Sequence, residues 1–511
     1  MSAHIVHTIP ARCHHLITRW AEIQPDAPAL QDPSRKLSYH EFAAAIERSV
    51  PRLRDHGVRP GDRVLIVAEN TVASAVLMMA VQRLDAWPAI VNARLPSREI
   101  EGFRACAGAR LTLYACDHSQ AAAGHAADDA VLAIEDESIG RVVFGAIDNG
   151  CEPEPVHEDH RRQVGLMIFT SGTTGTPKAV MLSHFGLINM GAILSGTRHT
   201  TAKDSYSGAA PLSHIIGQAN LMNILWAGAS LSLQPRVEVA RMAEAIAAGG
   251  MTHLSFVPTV YARLLDHIER NGIDVSGNRL RYISSGGAPL DPDLKRRIER
   301  TFGLPMVNGY GMTECAPALR SRHDLYGGEP GNIGKPEPGI EARIVDADGG
   351  DIGPDGVGEL WLRSNSVMMG YYRNPEATAE VLRPDGWFRT GDLARWLDDR
   401  EIAIVGRAKE MIIRSGFNVY PAEVEAALNS LPGVLQSGVV GRPAEEGNEE
   451  VIAFVEPQPG ATLDEQILLD GLRELIAPYK RPARIVIMDA LPLGGTGKIW
   501  KKRLAELALE A

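Results

Sequence analysis

The chain has 511 residues, 45% of them apolar and 23% charged, which is ordinary for a globular protein and excludes wholesale disorder. Lys and Arg number 52 against 63 Asp and Glu, and the resulting net charge of −11 argues against a protein built to coat nucleic acid. At roughly 150 residues per domain the length suggests two or three units, and no apolar run reaches the ~20 residues that span a bilayer.

In chain order, the N-terminus (MSAHIVHTIPARCHH) lacks the basic-then-apolar layout of a signal peptide. Residues 39–56 put Phe42, Ala45, Ile46 and Val50 on one helical face, and Arg63–Ala68 (RVLIVA) follows as a strand. The apolar stretch Val72 to Arg83 predicts a buried helix, and Pro88–Asn92 a second strand. This alternation predicts a parallel sheet flanked by helices. It recurs at helical Ala240–Ala247 before strand Thr252–Val257, and at helical Pro258–Ile268 before strand Leu280–Ser284. Ile340–Val345 and Gly358–Arg363, separated by DADGGDIGPDGVG, predict antiparallel strands. Beyond residue 408 a smaller α+β unit is expected. Its strands are Met411–Ile413, Val434–Val440, Val451–Glu456 and Arg484–Met488, and its helices Pro421–Ser430 and Thr462–Ala477. The five cysteines show no paired spacing, which predicts free thiols and a cytoplasmic protein, and no CxxC or HExxH implies a zinc site.

The most informative segment is LMIFTSGTTGTPK, residues 166–178. An apolar strand empties into a loop holding the hydroxyls of Thr170, Ser171, Thr173, Thr174 and Thr176, together with Gly172, Gly175 and a terminal Lys178. Small side chains let backbone N–H groups approach an anion, the hydroxyls add donors and Lys178 adds a point charge. This composition suits a polyphosphate. It is not a Walker A loop, because Gly175 stands three residues before Lys178 and Ala179 follows the lysine. Gly495-Thr496-Gly497-Lys498 fails the same test, with Pro492 where the first glycine should be.

TSGTTGTPK resembles the phosphate loop of the adenylate-forming superfamily, which includes acyl-CoA synthetases, peptide-synthetase adenylation domains and luciferase. Further matches follow in that family's order: PLSH ending at His214, GGAP at Gly286–Pro289, GYGMTE at Gly309–Glu314, GEL at Gly358–Leu360, FRTGD ending at Asp392, GRAK at Gly406–Lys409, and TGK ending at Lys498. The matches run along essentially the whole chain. The resemblance implies an α/β fold with a large N-terminal domain of sheets flanked by helices, residues 1–408, a hinge at Lys409, and a small mobile C-terminal α+β domain, residues 410–511.

It also implies a reaction in two halves. A carboxylate attacks the α-phosphorus of ATP to give acyl-AMP and pyrophosphate, and a thiol, usually that of coenzyme A, then displaces AMP. The family pattern makes Glu314 the ligand of a magnesium ion, Thr313 a donor to the α-phosphate, and Lys498 the cation that meets the attacking carboxylate. Asp392 would accept the ribose hydroxyls, with Arg407 beside it. Tyr310 would offer a flat face to adenine, with the backbone of Gly287, Ala288 and Pro289 on the other side and Gly311 close by. His214 would border the carboxylate and the thiol tunnel. Ile215, Ile216, Ser285, Gly309, Cys315 and Ala316 would line the acyl pocket. Gly416 would lie against the pantetheine tunnel, and Tyr479 and Arg481 would meet the nucleotide of coenzyme A.

The pocket residues are small or apolar, which disfavours a dicarboxylate such as malonate and leaves aryl, alicyclic or short-to-medium aliphatic acids. Plant hydroxycinnamate ligases often have Tyr near the Ile216 position. Asp85 stands where relatives commonly carry Gly, and Phe417 holds a position that varies among them. The expected function is an ATP- and magnesium-dependent acid–CoA ligase, with coenzyme A as co-substrate. An acyl-AMP ligase loading a carrier protein and a non-catalytic nucleotide-binding protein are the alternatives. Either a monomer or a homodimer is compatible with the sequence.

Overall fold

The computed structural model describes residues 9–117, 119–171, 177–321, 331–354, 356–397, 400–414, 417–444, 448–493 and 499–510. Among them lie sheets of thirteen, eight, three and two strands, in the mixed α/β arrangement expected, with the larger sheets in the N-terminal part.

The eight-stranded sheet is built around parallel strands Arg63–Ala68, Trp87–Asn92 and Leu111–Ala115. Every residue of Arg63–Ala68 is buried, as an apolar run covered on both faces should be. The helix Val72–Arg83 is buried from Val72 to Gln82, because it has no polar face to turn outward. Thr71 starts it with a capping box, its hydroxyl accepting from the Ser74 N–H while the Ser74 hydroxyl accepts from the Thr71 N–H. The chain returns through Val164–Ser171, parallel to Trp87–Asn92, and turns into the antiparallel strand Pro177–Ser183. Thr170 and Lys178, at the two ends of the phosphate-loop sequence, are paired across these strands.

Asp85 explains its own departure from glycine. Its φ of 55° lies in the left-handed region, which glycine enters freely and aspartate tolerates better than most residues. Its carboxylate accepts from Arg12 Nε at 2.7 Å, and its carbonyl accepts from the N–H of Gly61 and from Gln163 Nε2.

In the thirteen-stranded sheet, Ser230–Leu233, Ser205–Gly208, His253–Phe256, Tyr282–Gly286 and Met306–Met312 are parallel neighbours with helices between them in sequence. The sheet then turns antiparallel through Cys315–Ser321, Asn332–Pro336, Ile402–Arg407, Phe388–Trp396, Gly358–Ser364 and Ile340–Val345. The predicted antiparallel pair is present, with Ile344 opposite Leu360.

The described residues from 412 onward form the smaller sheets around a separate core that includes Val424, Leu428, Val439, Val451, Val455 and Leu468. One expected element is shorter here. The predicted helix 462–477 is Glu465–Gly471, begun by Asp464, whose carboxylate accepts from the Ile467 N–H. Gly471 fits against Leu431, and the chain beyond tightens into turns closed by Arg473 N–H to Asp470 and Leu475 N–H to Leu472 before Pro478.

Candidate active site

Three charged groups of the expected site, Glu314, Lys178 and Asp392, lie on strands or turns of the two large sheets. Thr313 and Glu314 are the two residues at the tip of the hairpin joining Met306–Met312 to Cys315–Ser321, where Met312 pairs with Cys315. Both residues are half-buried. Glu314 Oε1 accepts a hydrogen bond from the Tyr371 hydroxyl at 2.8 Å. Burial first, then the charge of Glu314 and the hydrogen bond to it, hold the Tyr371 phenol well above its ordinary range, so it stays a donor. The Lys178 ammonium lies 4.8 Å from the centre of the Tyr371 ring. Lys178 and Glu314, expected to serve one triphosphate, thus share a neighbour.

The third group is Asp392. Strands Phe388–Trp396 and Ile402–Arg407 pair it directly with Arg407, whose Nε lies 2.9 Å from Oδ1. Tyr310 donates its hydroxyl to Oδ2 at 2.5 Å. Asp392 is 4% exposed, and its own N–H bonds the Thr390 hydroxyl. Between them Gly391 has φ 72°, a conformation costly for any residue with a Cβ. Burial, followed by the Asp392 charge and hydrogen bond, keeps the Tyr310 phenol protonated far beyond its ordinary pKa. Tyr310 was expected as a face for adenine. Its hydroxyl donates to Asp392, so the residue also orients the carboxylate expected to hold the ribose.

Gly309 and Gly286 are parallel neighbours, which sets the Gly287-Ala288-Pro289 turn beside Tyr310 and Gly311. Gly287, Ala288 and Gly311 are half-buried, and Pro289 is exposed.

His214 precedes helix Ile215–Ala227 in an extended conformation, and its carbonyl accepts from the Gln218 N–H. Asn70 pins the segment before it: the Asn70 amide donates to the Gly208 carbonyl at 2.5 Å and accepts from the Leu212 N–H. A Cβ on Gly217 would stand 2.1 Å from the Pro211 carbonyl oxygen, so only glycine lets the helix begin so close to this segment. Ile215, Ile216, Gly309 and Ala316 are half-buried. Ser285 is buried, and its Oγ has no hydrogen-bond partner among the described residues. Cys315 departs from expectation. It is fully buried in the main core, its thiol pushed up to about 12 by burial, and it borders no space wide enough for water.

In the C-terminal part Tyr479 stacks on the exposed ring of Phe417, with ring centres 4.7 Å apart. Arg481 corrects a second expectation. Its Nε and Nη2 donate to the carbonyls of Ile476 and Arg473, so these donors cap the end of a turn rather than standing ready for a nucleotide. Lys409 is exposed within the short 3₁₀ turn Ala408–Glu410. Next to it, Glu410 accepts from Lys501, which also reaches Glu425, both at 2.9 Å. Burial opposes the Lys501 charge, yet the two carboxylates raise its pKa above the ordinary value. The expected roles of Gly172, Thr173, Thr174, Gly175, the Ser171 side chain, Gly416 and Lys498 fall outside the described residues.

Tyr371 was missed in the sequence. Its contact with Glu314 joins residues 57 apart, and no local spacing announces it.

A magnesium ion fits this site in a limited way. The described residues contain no cluster of three or more His, Cys, Asp or Glu that would hold a metal alone. Glu314 has one oxygen engaged by Tyr371 and the other without a partner among the described residues. One carboxylate with substrate phosphates and water is how magnesium is commonly held.

Comparison with known proteins agrees with this geometry. The model of the AMP-binding enzyme family matches residues 17–372, and that of the AMP-binding enzyme C-terminal domain matches residues 423–498. The chain is 34% identical over 488 residues to a feruloyl-CoA synthase of Amycolatopsis sp., covering 94% of this chain and 96% of the relative. It is 33% identical over 499 residues to the indoleacetate–CoA ligase of Aromatoleum aromaticum, covering 96% and 97%. The o-succinylbenzoate coenzyme A synthetase of Bacillus subtilis, solved with ATP and a magnesium ion, superposes with a TM-score of 0.82 at 26% identity over 96% of this chain and 98% of that one. Motif order, fold and these matches agree: the chain belongs to the AMP-binding enzyme family of adenylate-forming acyl-CoA synthetases.

Proposed function

We propose that this protein is an AMP-forming acid–CoA ligase that activates an aryl carboxylic acid at the junction of its two large sheets. The observation that supports the reading is that Lys178 and Glu314, from separate stretches of sequence, share the neighbour Tyr371, while Tyr310, four residues before Glu314, holds Asp392. Asp392, fixed by Tyr310 and Arg407, would accept the ribose hydroxyls through its remaining lone pairs. Lys178 and the glycine- and hydroxyl-rich sequence it ends would grip the β- and γ-phosphates. Glu314 would hold magnesium, which when bound neutralises charge on the phosphate oxygens. The principal catalytic need is to bring two anions together. Thr313, beside Glu314, would donate to the α-phosphate, and Lys498 would meet the incoming carboxylate. Loss of such a contact costs about 3–4 kcal/mol in the transition state.

Residues 1–408 and 410–511 would act as two bodies joined at Lys409, so that the smaller one rotates between the half-reactions and coenzyme A enters near His214, Gly416 and Tyr479. Lys501, gripping both Glu410 beside this joint and Glu425, would brace the start of the smaller body against its own helix. Ile215, Ile216, Gly309 and Ala316 carry no charge, and two similar ligases are named for feruloyl and indoleacetate substrates, which supports an aryl acid. Among the described residues no helix is long and apolar enough to cross a membrane. A cytoplasmic location is part of the proposal, supported by cysteines without paired spacing.

The test is AMP release and thioester formation with ATP, magnesium and coenzyme A over a panel of benzoates, cinnamates, arylacetates, cyclohexane carboxylates and C4–C10 fatty acids. Aryl acids should give the highest kcat/KM. Acid-dependent AMP release without a coenzyme A thioester would overturn the acceptor, and preference for aliphatic acids would overturn the substrate class.

A further inference from the structure

We propose that Tyr371 is a positioning residue that keeps Lys178 and Glu314 close to one another and unpaired, so that a phosphate chain and its cation can enter between them. The proposal rests on the functional reading above and deepens it.

The backbone around Tyr371 is a strap between the two gripping groups. Val367 bridges to Cys315, and the Met368 N–H donates to the carbonyl of Glu314 at 2.8 Å. Only a few residues later Gly370 pairs with Met181 and Tyr371 with Val180, while the Tyr372 N–H bonds the Ala179 carbonyl at 2.8 Å. In six residues the chain therefore passes from the turn bearing Glu314 to the strand bearing Lys178. Tyr371 is 7% exposed and its N–H is fixed on the Thr378 hydroxyl, so its ring has little freedom.

The side chain repeats what the strap does. Its hydroxyl takes one oxygen of Glu314, and its ring faces the Lys178 ammonium. An ammonium and a carboxylate brought to opposite sides of one residue would otherwise be free to collapse onto each other. A carboxylate in place of Tyr371 would neutralise Lys178. A ring face attracts a cation through its quadrupole and leaves the full charge available. A phenol donating to Glu314 likewise stabilises the carboxylate without cancelling its charge. The residue type thus suits a neutral spacer between opposite charges.

The experiment is a calorimetric titration of ATP, with and without magnesium and in the absence of acid, into full-length wild type, Tyr371→Phe, Tyr371→Leu, Glu314→Gln and the double variant Tyr371→Phe/Glu314→Gln. Wild type should bind ATP more tightly with magnesium. Tyr371→Phe should lose about tenfold of that magnesium-dependent gain, the weight of one hydrogen bond to a charged group, and keep its metal-free affinity. The same hydroxyl deletion should do nothing in the Glu314→Gln background. Tyr371→Leu should weaken metal-free binding as well, because Lys178 loses its ring. Equal magnesium gains in wild type and Tyr371→Phe would overturn the proposal, as would an unchanged effect of Tyr371→Phe in the Glu314→Gln background. The Phe variant keeps the core volume and carries the test even if the Leu variant folds poorly. Absence of ATP binding by wild type would instead count against the functional reading itself.

Discussion

The two carboxylates of the site, Asp392 and Glu314, are each held by a tyrosine, yet they are built for different work. Asp392 is 4% exposed, with Tyr310 on one oxygen and Arg407 on the other. Glu314 stands on a two-residue hairpin tip with a single tyrosine bond. A carboxylate engaged at both oxygens is a rigid acceptor whose geometry is set before a ligand arrives. A carboxylate with one oxygen lacking a partner among the described residues is suited to a cation. Binding and chemistry should therefore divide between them.

The largest effect should come from Glu314→Gln, which keeps the shape and removes the charge. Acid-dependent pyrophosphate–ATP exchange should fall about 10²–10³-fold, chiefly in kcat, as expected for a group that acts on transition-state charge. Asp392→Asn should act on the other side of the division, raising the KM for ATP about tenfold with a smaller change in kcat, since it removes a charged hydrogen-bond acceptor met in ground and transition states alike. If both variants lost kcat equally, the division would fail. Tyr310→Phe should follow Asp392→Asn at lower amplitude, with KM for ATP up about threefold to tenfold and little change in kcat, because it only loosens the carboxylate.

The smallest effect is spectroscopic. The Tyr310 and Tyr371 phenols have folded pKa values raised from the ordinary 10.0. A raised pKa means that the stability these groups contribute is complete below pH 10 and is lost as pH climbs through the folded values, where the unfolded chain has already released its protons. Ultraviolet titration at pH 11 should therefore show that Tyr371→Phe removes one phenolate from the count in urea and none from the count in the native protein. Loss of a native phenolate would contradict the assignment.

Much of this architecture is legible in the residues, because it rests on local rules. The apolar runs at 63–68 and 72–83 could only be buried. Asp85 is a subtler case: the resemblance flags it as a substitution for glycine, and its left-handed φ shows what the glycine would have supplied. What stayed hidden depends on contacts between distant segments. Tyr371 meets Glu314 through a strap that links two sheets, and neither end carries a mark of the other. Arg481 has the charge expected of a nucleotide contact, but carbonyls at 473 and 476 reach it first. Cys315 follows Glu314 in sequence, and strand alternation then turns it into the core.

The central claim is that these groups adenylate a carboxylic acid. Pyrophosphate–ATP exchange by the wild-type protein, measured with and without an aryl carboxylate and with and without magnesium, tests it most directly. Exchange that needs both the acid and the metal, with AMP as the nucleotide released once coenzyme A is added, is the predicted result. Tight ATP binding with no exchange for any acid of the panel, or release of ADP in place of AMP, would contradict it.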